Sequence, residues 1–174
     1  MIYKLRGHSR GVLSVAFNPN GEVLASGGND GLLILWSVKE GKLISKIEGS
    51  SYGGITSVAY SPDGKIIATG GVDSTIRLWD ANELKLLMTI NKAHNRGALS
   101  VDFNLDGQIL ASSGNHGIIN LWKVSDGELL NSLDSVITNH NKNWIKSVVF
   151  SPDGKILASG AADGKICLWG IKTK

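Results

Sequence analysis

The sequence predicts an all-β fold in which one four-stranded antiparallel sheet is repeated four times. Three observations carry this expectation. First, nearly the same stretch recurs, as LASGGNDGLLILW at 24–36, IATGGVDSTIRLW at 67–79, LASSGNHGIINLW at 110–122 and LASGAADGKICLW at 157–169. Trp36, Trp79, Trp122 and Trp169 therefore stand 43, 43 and 47 residues apart, a period long enough for one supersecondary unit and too long for a heptad. Second, each period divides into short runs rich in Val, Ile and Leu, the composition of strands. Third, turn signals separate those runs, and no stretch sustains a 3.6-residue apolar period, so helices are not expected.

In the first unit the expected strands are GVLSVAFN (11–18), GEVLASGG (21–28), LLILWSV (32–38) and KLISKIEG (42–49). Between them lie NPNG (18–21), GNDG (28–31) and KEG (39–41), and the first of these turns returns as SPDG at 61–64 and 151–154 and as NLDG at 104–107. Asn, Asp, Pro and Gly supply the tight conformations that such connections need. Along a strand such as 32–38, Leu33, Ile34, Leu35 and Trp36 point alternately to the two faces, so each sheet needs an apolar neighbour on both sides. Radial stacking meets that need and leaves only short protected edges, which is the β-propeller arrangement. A two-sheet sandwich would not require a fixed period and is set aside.

One domain spanning 1–174 is expected, with repeats at about 7–49, 50–92, 93–138 and 139–174. The opening IYKLRGH aligns with the outer-strand segments KLISKIEGS and KLLMTINKAH, whereas the last unit stops after KICLWGIKTK. Residues 1–6 are thus expected to serve as a closing outer strand that completes the last blade. Two chains sharing one eight-bladed ring as a homodimer, a piece of a longer propeller, and a monomeric four-bladed ring all remain open. The two-chain ring is preferred, because a four-bladed ring needs twice its angle between neighbouring blades.

The 42% hydrophobic and 19% charged composition suits a globular chain. The net charge of +3 comes from Lys and Arg scattered along the chain, a weak argument for a nucleic-acid partner. A single cysteine, Cys167, rules out an intrachain disulfide framework; in the run KICLW it reads as a small buried hydrophobe in a reducing compartment. No stretch has the ~20 apolar residues of a membrane-spanning helix. A cytoplasmic location is therefore expected.

On these residues the chain resembles the WD40-repeat β-propeller family over essentially its whole length. The resemblance rests on Gly7-His8 before the first strand, the SPDG turns, the Asp of the GNDG turn and the strand ending in Trp. It implies a buried hydrogen-bond set of His, Ser or Thr, Asp and Trp in each unit. The first unit has all four, His8, Ser26, Asp30 and Trp36. The second keeps Thr69, Asp73 and Trp79 but has Ser51 in the histidine place. The third keeps His94, Ser112 and Trp122 but has His116 in the place of the Asp. The fourth has Ser159, Asp163 and Trp169, with His140 displaced by one residue in a longer loop.

The same residues argue against catalysis. A Ser nucleophile is needed once, at a strained exposed position, whereas this Ser, His and Asp set recurs in every unit. No His or Cys pair has metal-ligand spacing, so neither a metal nor a cofactor is expected. The glycine-rich SGGND and TGGVD have no helix after them and are not phosphate loops. What remains is a non-enzymatic scaffold that presents rigid rim loops to a protein or peptide. The competing reading is a nucleic-acid or polyanion module using Arg10, Lys92, Arg96, Lys142 and Lys146. One stretch is unmatched in the other units: NHNKNWIK at 139–146 contains the four extra residues of the longest period and places Trp144 where Gly11, Gly54 and Gly97 stand. The resemblance implies that side chains there, with Asn29, Val72, Asn115 and Ala162 before or at the turn acids, face a partner. Trp144, Lys142, Lys146, Arg10, Arg96, Asn29, Asn115 and His116 are the candidate rim.

Overall fold

A computed structural model describes residues 1–50, 52–134 and 144–171. Its described part holds fifteen strands in four antiparallel sheets. The first sheet is β1 (Val12–Phe17), β2 (Val23–Gly28), β3 (Leu32–Ser37) and β4 (Lys42–Glu48). The second is β5 (Ile55–Tyr60), β6 (Ile66–Gly71), β7 (Ile76–Asp80) and β8 (Leu86–Ile90). The third is β9 (Ala98–Phe103), β10 (Ile109–Gly114), β11 (Ile118–Lys123) and β12 (Leu129–Asp134). The fourth has three strands, β13 (Ile145–Phe150), β14 (Ile156–Ala161) and β15 (Ile166–Gly170). Each sheet is a meander whose neighbours in space are neighbours in sequence.

Turn chemistry explains why the strands fold back where they do. The last residue of each NPNG, SPDG or NLDG turn is a glycine, Gly21, Gly64, Gly107 or Gly154, with φ between 69 and 75°, a region costly for residues with a Cβ. The inner pair of every sheet also carries one extra residue, at Leu13, Thr56, Leu99 and Lys146, where the register shifts. Such bulges bend a strand and re-aim its side chains. Just beyond three of them, Ser14, Ser57 and Ser100 accept the N–H groups of Val58, Val101 and Val148 in the next sheet, at 3.0, 3.1 and 3.1 Å.

The core consists of three clusters, each filling one gap between successive sheets. Leu33 and Leu35 pack on Ile55, Val58, Ile67 and Trp79; Ile76 and Leu78 on Ala98, Val101, Leu110 and Trp122; Ile119 on Ile145, Val148, Leu157 and the half-buried Trp169. Neighbouring inner strands pack in the order β1, β5, β9, β13, and no comparable packing joins β13 back to β1. The sheets are therefore stacked as propeller blades are, but they do not close on themselves.

Two expectations change here. Residues 1–7 form no strand, and the fourth sheet lacks an outer strand within the described residues, so the first segment does not complete the last sheet of its own chain. Cys167 is half-exposed rather than buried, because the strand that carries it, β15, forms the open edge of the fourth sheet.

Candidate functional site

The buried polar set forms in the first unit as a continuous chain of hydrogen bonds. Trp36 Nε1 donates to Ser26 Oγ (2.7 Å), Ser26 Oγ lies 2.8 Å from His8 Nε2, and His8 Nδ1 lies 2.9 Å from Asp30 Oδ1. With Trp36 donating to the serine, the consistent arrangement has the Ser26 hydroxyl donating to Nε2 and Nδ1–H donating to the carboxylate. Asp30 also accepts the N–H groups of Ser9 (2.7 Å) and Leu32 (3.2 Å). Burial opposes ionisation of Asp30, but these bonds outweigh it and hold the carboxyl below its usual range. The set thereby ties the segment entering β1 to the turn between β2 and β3.

The other units depart from it in different ways. In the second, Ser51 lies outside the described residues and Ser50 takes up the contact, donating to Asp73 Oδ2 at 3.1 Å. Arg77, which the motif does not include, donates through Nη1 to Asp73 Oδ2 (2.8 Å), Thr75 Oγ1 (2.6 Å) and the carbonyl of Gly49 (3.3 Å). The visible signal was an arginine between Ile76 and Leu78, in the strand place held elsewhere by Ile34, Asn120 and Cys167. Trp79 Nε1 still donates to Thr69 Oγ1 (2.9 Å). In the third unit, Trp122 Nε1 donates to Ser112 Oγ (2.7 Å) and His94 Nε2 lies 2.7 Å from the same oxygen. There Asn120, also outside the motif, ties strand to connection by donating to the carbonyl of Ala93 (2.9 Å). In the fourth, Trp169 Nε1 donates to Ser159 Oγ (3.0 Å) and Asp163 pairs with Lys165 at 3.1 Å; His140 lies outside the described residues.

These sets predict unequal costs. Asp30→Ala is expected to destabilise by about 1–3 kcal/mol in urea denaturation, because His8 and two backbone N–H groups lose a buried acceptor. His116→Ala is expected to cost clearly less, since its unit already lacks the acid. Equal losses would contradict the assignment.

The candidate rim lies at one edge of the sheets, where the segments entering the inner strands meet the turns between the second and third strands. In three units a backbone bond couples the two: Asn29 N–H to the carbonyl of Gly11 (2.8 Å), Val72 N–H to that of Gly54 (3.0 Å) and Ala162 N–H to that of Trp144 (2.9 Å). In the third, Asn115 Nδ2 donates to the carbonyl of Arg96 at 2.6 Å. Trp144, 46% exposed, thus takes the backbone role of the glycines, and Lys146 Nζ sits 4.1 Å from the ring centroid. Arg10, Asn29 and Arg96 are exposed and His116 is half-buried; Lys142 lies outside the described residues. Tyr52, 86% exposed in the segment entering β5, adds a second aromatic that the repeat pattern does not single out. Between the first two sheets a polar groove is lined by Ser9, Arg10, Asn29, Asp30, Glu48 and Ser50. No cluster of His, Cys, Asp and Glu among the described residues could hold a metal ion.

Stacked antiparallel sheets, a tryptophan bonded to a Ser or Thr in every unit, and a rim of variable side chains define a propeller-type repeat protein. The family described as "WD domain, G-beta repeat" matches residues 1–37, 41–80, 84–123 and 131–170, and the chain belongs to this WD40 family. Short stretches resemble named proteins. Small ribosomal subunit protein RACK1y of Oryza sativa subsp. japonica is 47% identical over 45 residues, 26% of this chain and 13% of that protein. RACK1z of Arabidopsis thaliana is 45% identical over 47 residues, 27% of this chain and 14% of that protein. A component of chromatin assembly factor 1 of Gallus gallus is 47% identical over 38 residues, 22% of this chain and 7% of that protein. Among solved structures, that of U3-55K superposes with a TM-score of 0.83 at 22% identity, covering 96% of this chain and 51% of that one. The chain thus spans about half the length of a solved chain that shares its fold. Members of the WD40 family generally act as protein-interaction scaffolds.

Proposed function

We propose that this chain is a non-enzymatic scaffold in the cytoplasm whose rim binds a protein or peptide segment, with Trp144 as the anchor. The observation that carries this reading is an exposed indole at a place where the other units have glycine, roofed by the Lys146 ammonium. Large aromatic side chains with a polar border dominate interface energetics, since they bury much apolar area at little entropic cost. The relatives named above include, by their names, a ribosomal subunit protein and a chromatin assembly factor, which fits a part in assemblies. The competing polyanion reading is disfavoured by the groove beside Arg10, where Asp30 and Glu48 stand with the arginine. We further propose that a second copy completes the ring, giving eight sheets about a two-fold axis.

Panning a random peptide library against the chain, with the selected peptides then titrated, tests the anchor. Trp144→Ala is expected to weaken the selected peptides by ~2 kcal/mol or more, roughly thirtyfold, with the melting temperature nearly unchanged. A sharply lower melting temperature with unchanged affinity would make Trp144 a packing residue of its loop. Selection of acidic peptides alone, with affinity falling steeply between low and moderate salt, would favour the polyanion reading.

A further inference from the structure

The turn between β1 and β2 differs from its counterparts in chemistry rather than in shape. Where Asp63, Asp106 and Asp153 stand, the first unit has Asn20, and Asn20-Gly21 is the sole Asn-Gly pair of the 174 residues. All these turns share a backbone bond: Gly21 donates to the carbonyl of Asn18 at 2.9 Å, as Gly64, Gly107 and Gly154 do to those of Ser61, Asn104 and Ser151. They also share the side-chain bond that closes the turn. Asn20 Oδ1 accepts the N–H of Glu22 at 3.0 Å, and Asp63, Asp106 and Asp153 accept those of Lys65, Gln108 and Lys155 at 3.1, 2.8 and 3.1 Å.

The difference lies in the pair of side chains across the turn. Lys65 stands 3.6 Å from Asp63 and Lys155 stands 4.0 Å from Asp153, whereas Asn20 Nδ2 donates to Glu22 Oε2 at 3.0 Å. An acid facing a cation has become an amide facing an acid. Conversion of that amide to a carboxylate would set two like charges against each other.

Asn-Gly is the sequence in which this conversion proceeds without an enzyme, because glycine puts no side chain beside the attacking nitrogen. The Gly21 nitrogen bonds to Asn20 Cγ, the Cγ–Nδ2 bond breaks, and ammonia leaves with the proton that the Gly21 nitrogen gave up. Water then opens the cyclic imide. Opening at the side-chain carbonyl gives aspartate; opening at the main-chain carbonyl gives isoaspartate, with the chain running through Cγ. Asn20, Gly21 and Glu22 are all exposed, so water reaches each step. The Asp-Gly pairs of the other turns close less readily, since an ionised carboxylate is a poor electrophile. Bonds from the Ser61 and Ser151 hydroxyls hold Asp63 and Asp153 below their usual range.

In the closed turn both reacting groups are engaged. The Gly21 N–H is taken by the Asn18 carbonyl, and the Asn20 amide is held by two bonds to Glu22. We propose that Asn20 is a spontaneous deamidation site gated by this turn, protected while the turn is closed and converted when it opens. An exposed turn opens locally, without unfolding of its sheet. The reaction does not reverse, so the modified fraction accumulates with the time the turn has spent open. The aspartyl product keeps the bond from the Glu22 N–H but faces the Glu22 carboxylate, and the net charge of +3 falls by one. The isoaspartyl product adds a main-chain atom within the span that the Asn18–Gly21 bond closes, and loosens the link from β1 to β2.

The test is peptide mass spectrometry of the full-length chain held at pH 8, folded and in urea. The expected result is a gain of about one dalton on the peptide containing residue 20, slower in the folded chain by roughly tenfold or more. An acidic shift on isoelectric focusing accompanies it. Glu22→Ala, which frees the amide nitrogen, is expected to speed the folded chain's reaction and to leave the rate in urea nearly unchanged. Equal rates with and without urea would overturn the gating, and a folded Glu22→Ala rate equal to that of the wild type would overturn the part given to Glu22. Protection as large as the whole free energy of unfolding would replace local opening by global unfolding. No gain on that peptide even in urea would overturn the site itself.

Discussion

Acidification from pH 7 to pH 4 is expected to weaken this protein by about 3 kcal/mol through one side chain, His94. Its imidazole is buried, 6% exposed, and burial, together with the charge of His116 nearby, pushes its pKa down to about 4 from 6.5. Above pH 6.5 the ring is neutral whether folded or not, and stability does not depend on it. Between pH 6.5 and about 4 the unfolded chain takes up a proton that the native one refuses, so stability falls by about 1.4 kcal/mol per pH unit. Below about pH 4 both states are protonated and the loss is complete. Asp30 and Asp73, held below their usual range, act in a separate window: their stabilisation is present above pH 3.8 and fades as pH falls through their lowered native values. Urea denaturation of the wild type and His94→Gln at pH 7.5 and 4.5 checks this, the variant showing a drop smaller by about 2 to 3 kcal/mol. His116→Asp, which restores the acid that the third unit lacks, is expected to raise the His94 pKa and flatten the same profile. A wild-type drop equal to that of His94→Gln would contradict the account.

Much of this was legible because repetition turns one sequence into four readings of the same position. The need of Leu33, Ile34, Leu35 and Trp36 for apolar neighbours on both faces was readable because the same run recurs before each tryptophan, and the recurring glycines marked turns that need positive φ. Repetition conceals as well as reveals. Where units two and three depart from the common pattern, the sequence showed only a missing histidine and a missing acid. It carried no sign that Ser50 would contact Asp73. Arg77 was overlooked because an arginine within an apolar strand reads as an outward-facing charge, whereas here the strand place faces the connection from the preceding sheet and the guanidinium turns toward Asp73. Cys167 was misjudged for the opposite reason: its strand matches the buried ones, and only the vacant edge beside it makes it half-exposed. The candidate rim came from the family resemblance, which carried no sign of the contact between Lys146 and Trp144.

Replacing Arg77 is expected to be the most damaging change at a polar side chain of the second unit. Both Arg77 and Asp73 have side chains only about a tenth exposed, and their atoms lie 2.8 Å apart. Burial by itself raises the Asp73 pKa, yet bonds from Thr75 and Arg77 outweigh it and keep the carboxyl ionised below its usual range. Removing the guanidinium leaves that charge half-compensated in a site with little water, and breaking one partner of a buried pair typically costs ~3–5 kcal/mol. The carbonyl of Gly49 also loses a donor, so the segment joining β4 to β5 is released at the junction of two sheets. Arg77→Met, which keeps the packing stem, is expected to cost about 3 kcal/mol or more in urea denaturation. Arg77→Met combined with Asp73→Asn is expected to cost less than the two single changes added, because the stranded charge is gone. The single variant should also show a smaller acid-side decline, since the Asp73 carboxyl loses one of the groups that hold its pKa down. A loss under about 1 kcal/mol for Arg77→Met would show that Thr75 and Ser50 alone hold the acid, and the arginine would then be an accessory to the turn rather than the replacement for the missing histidine.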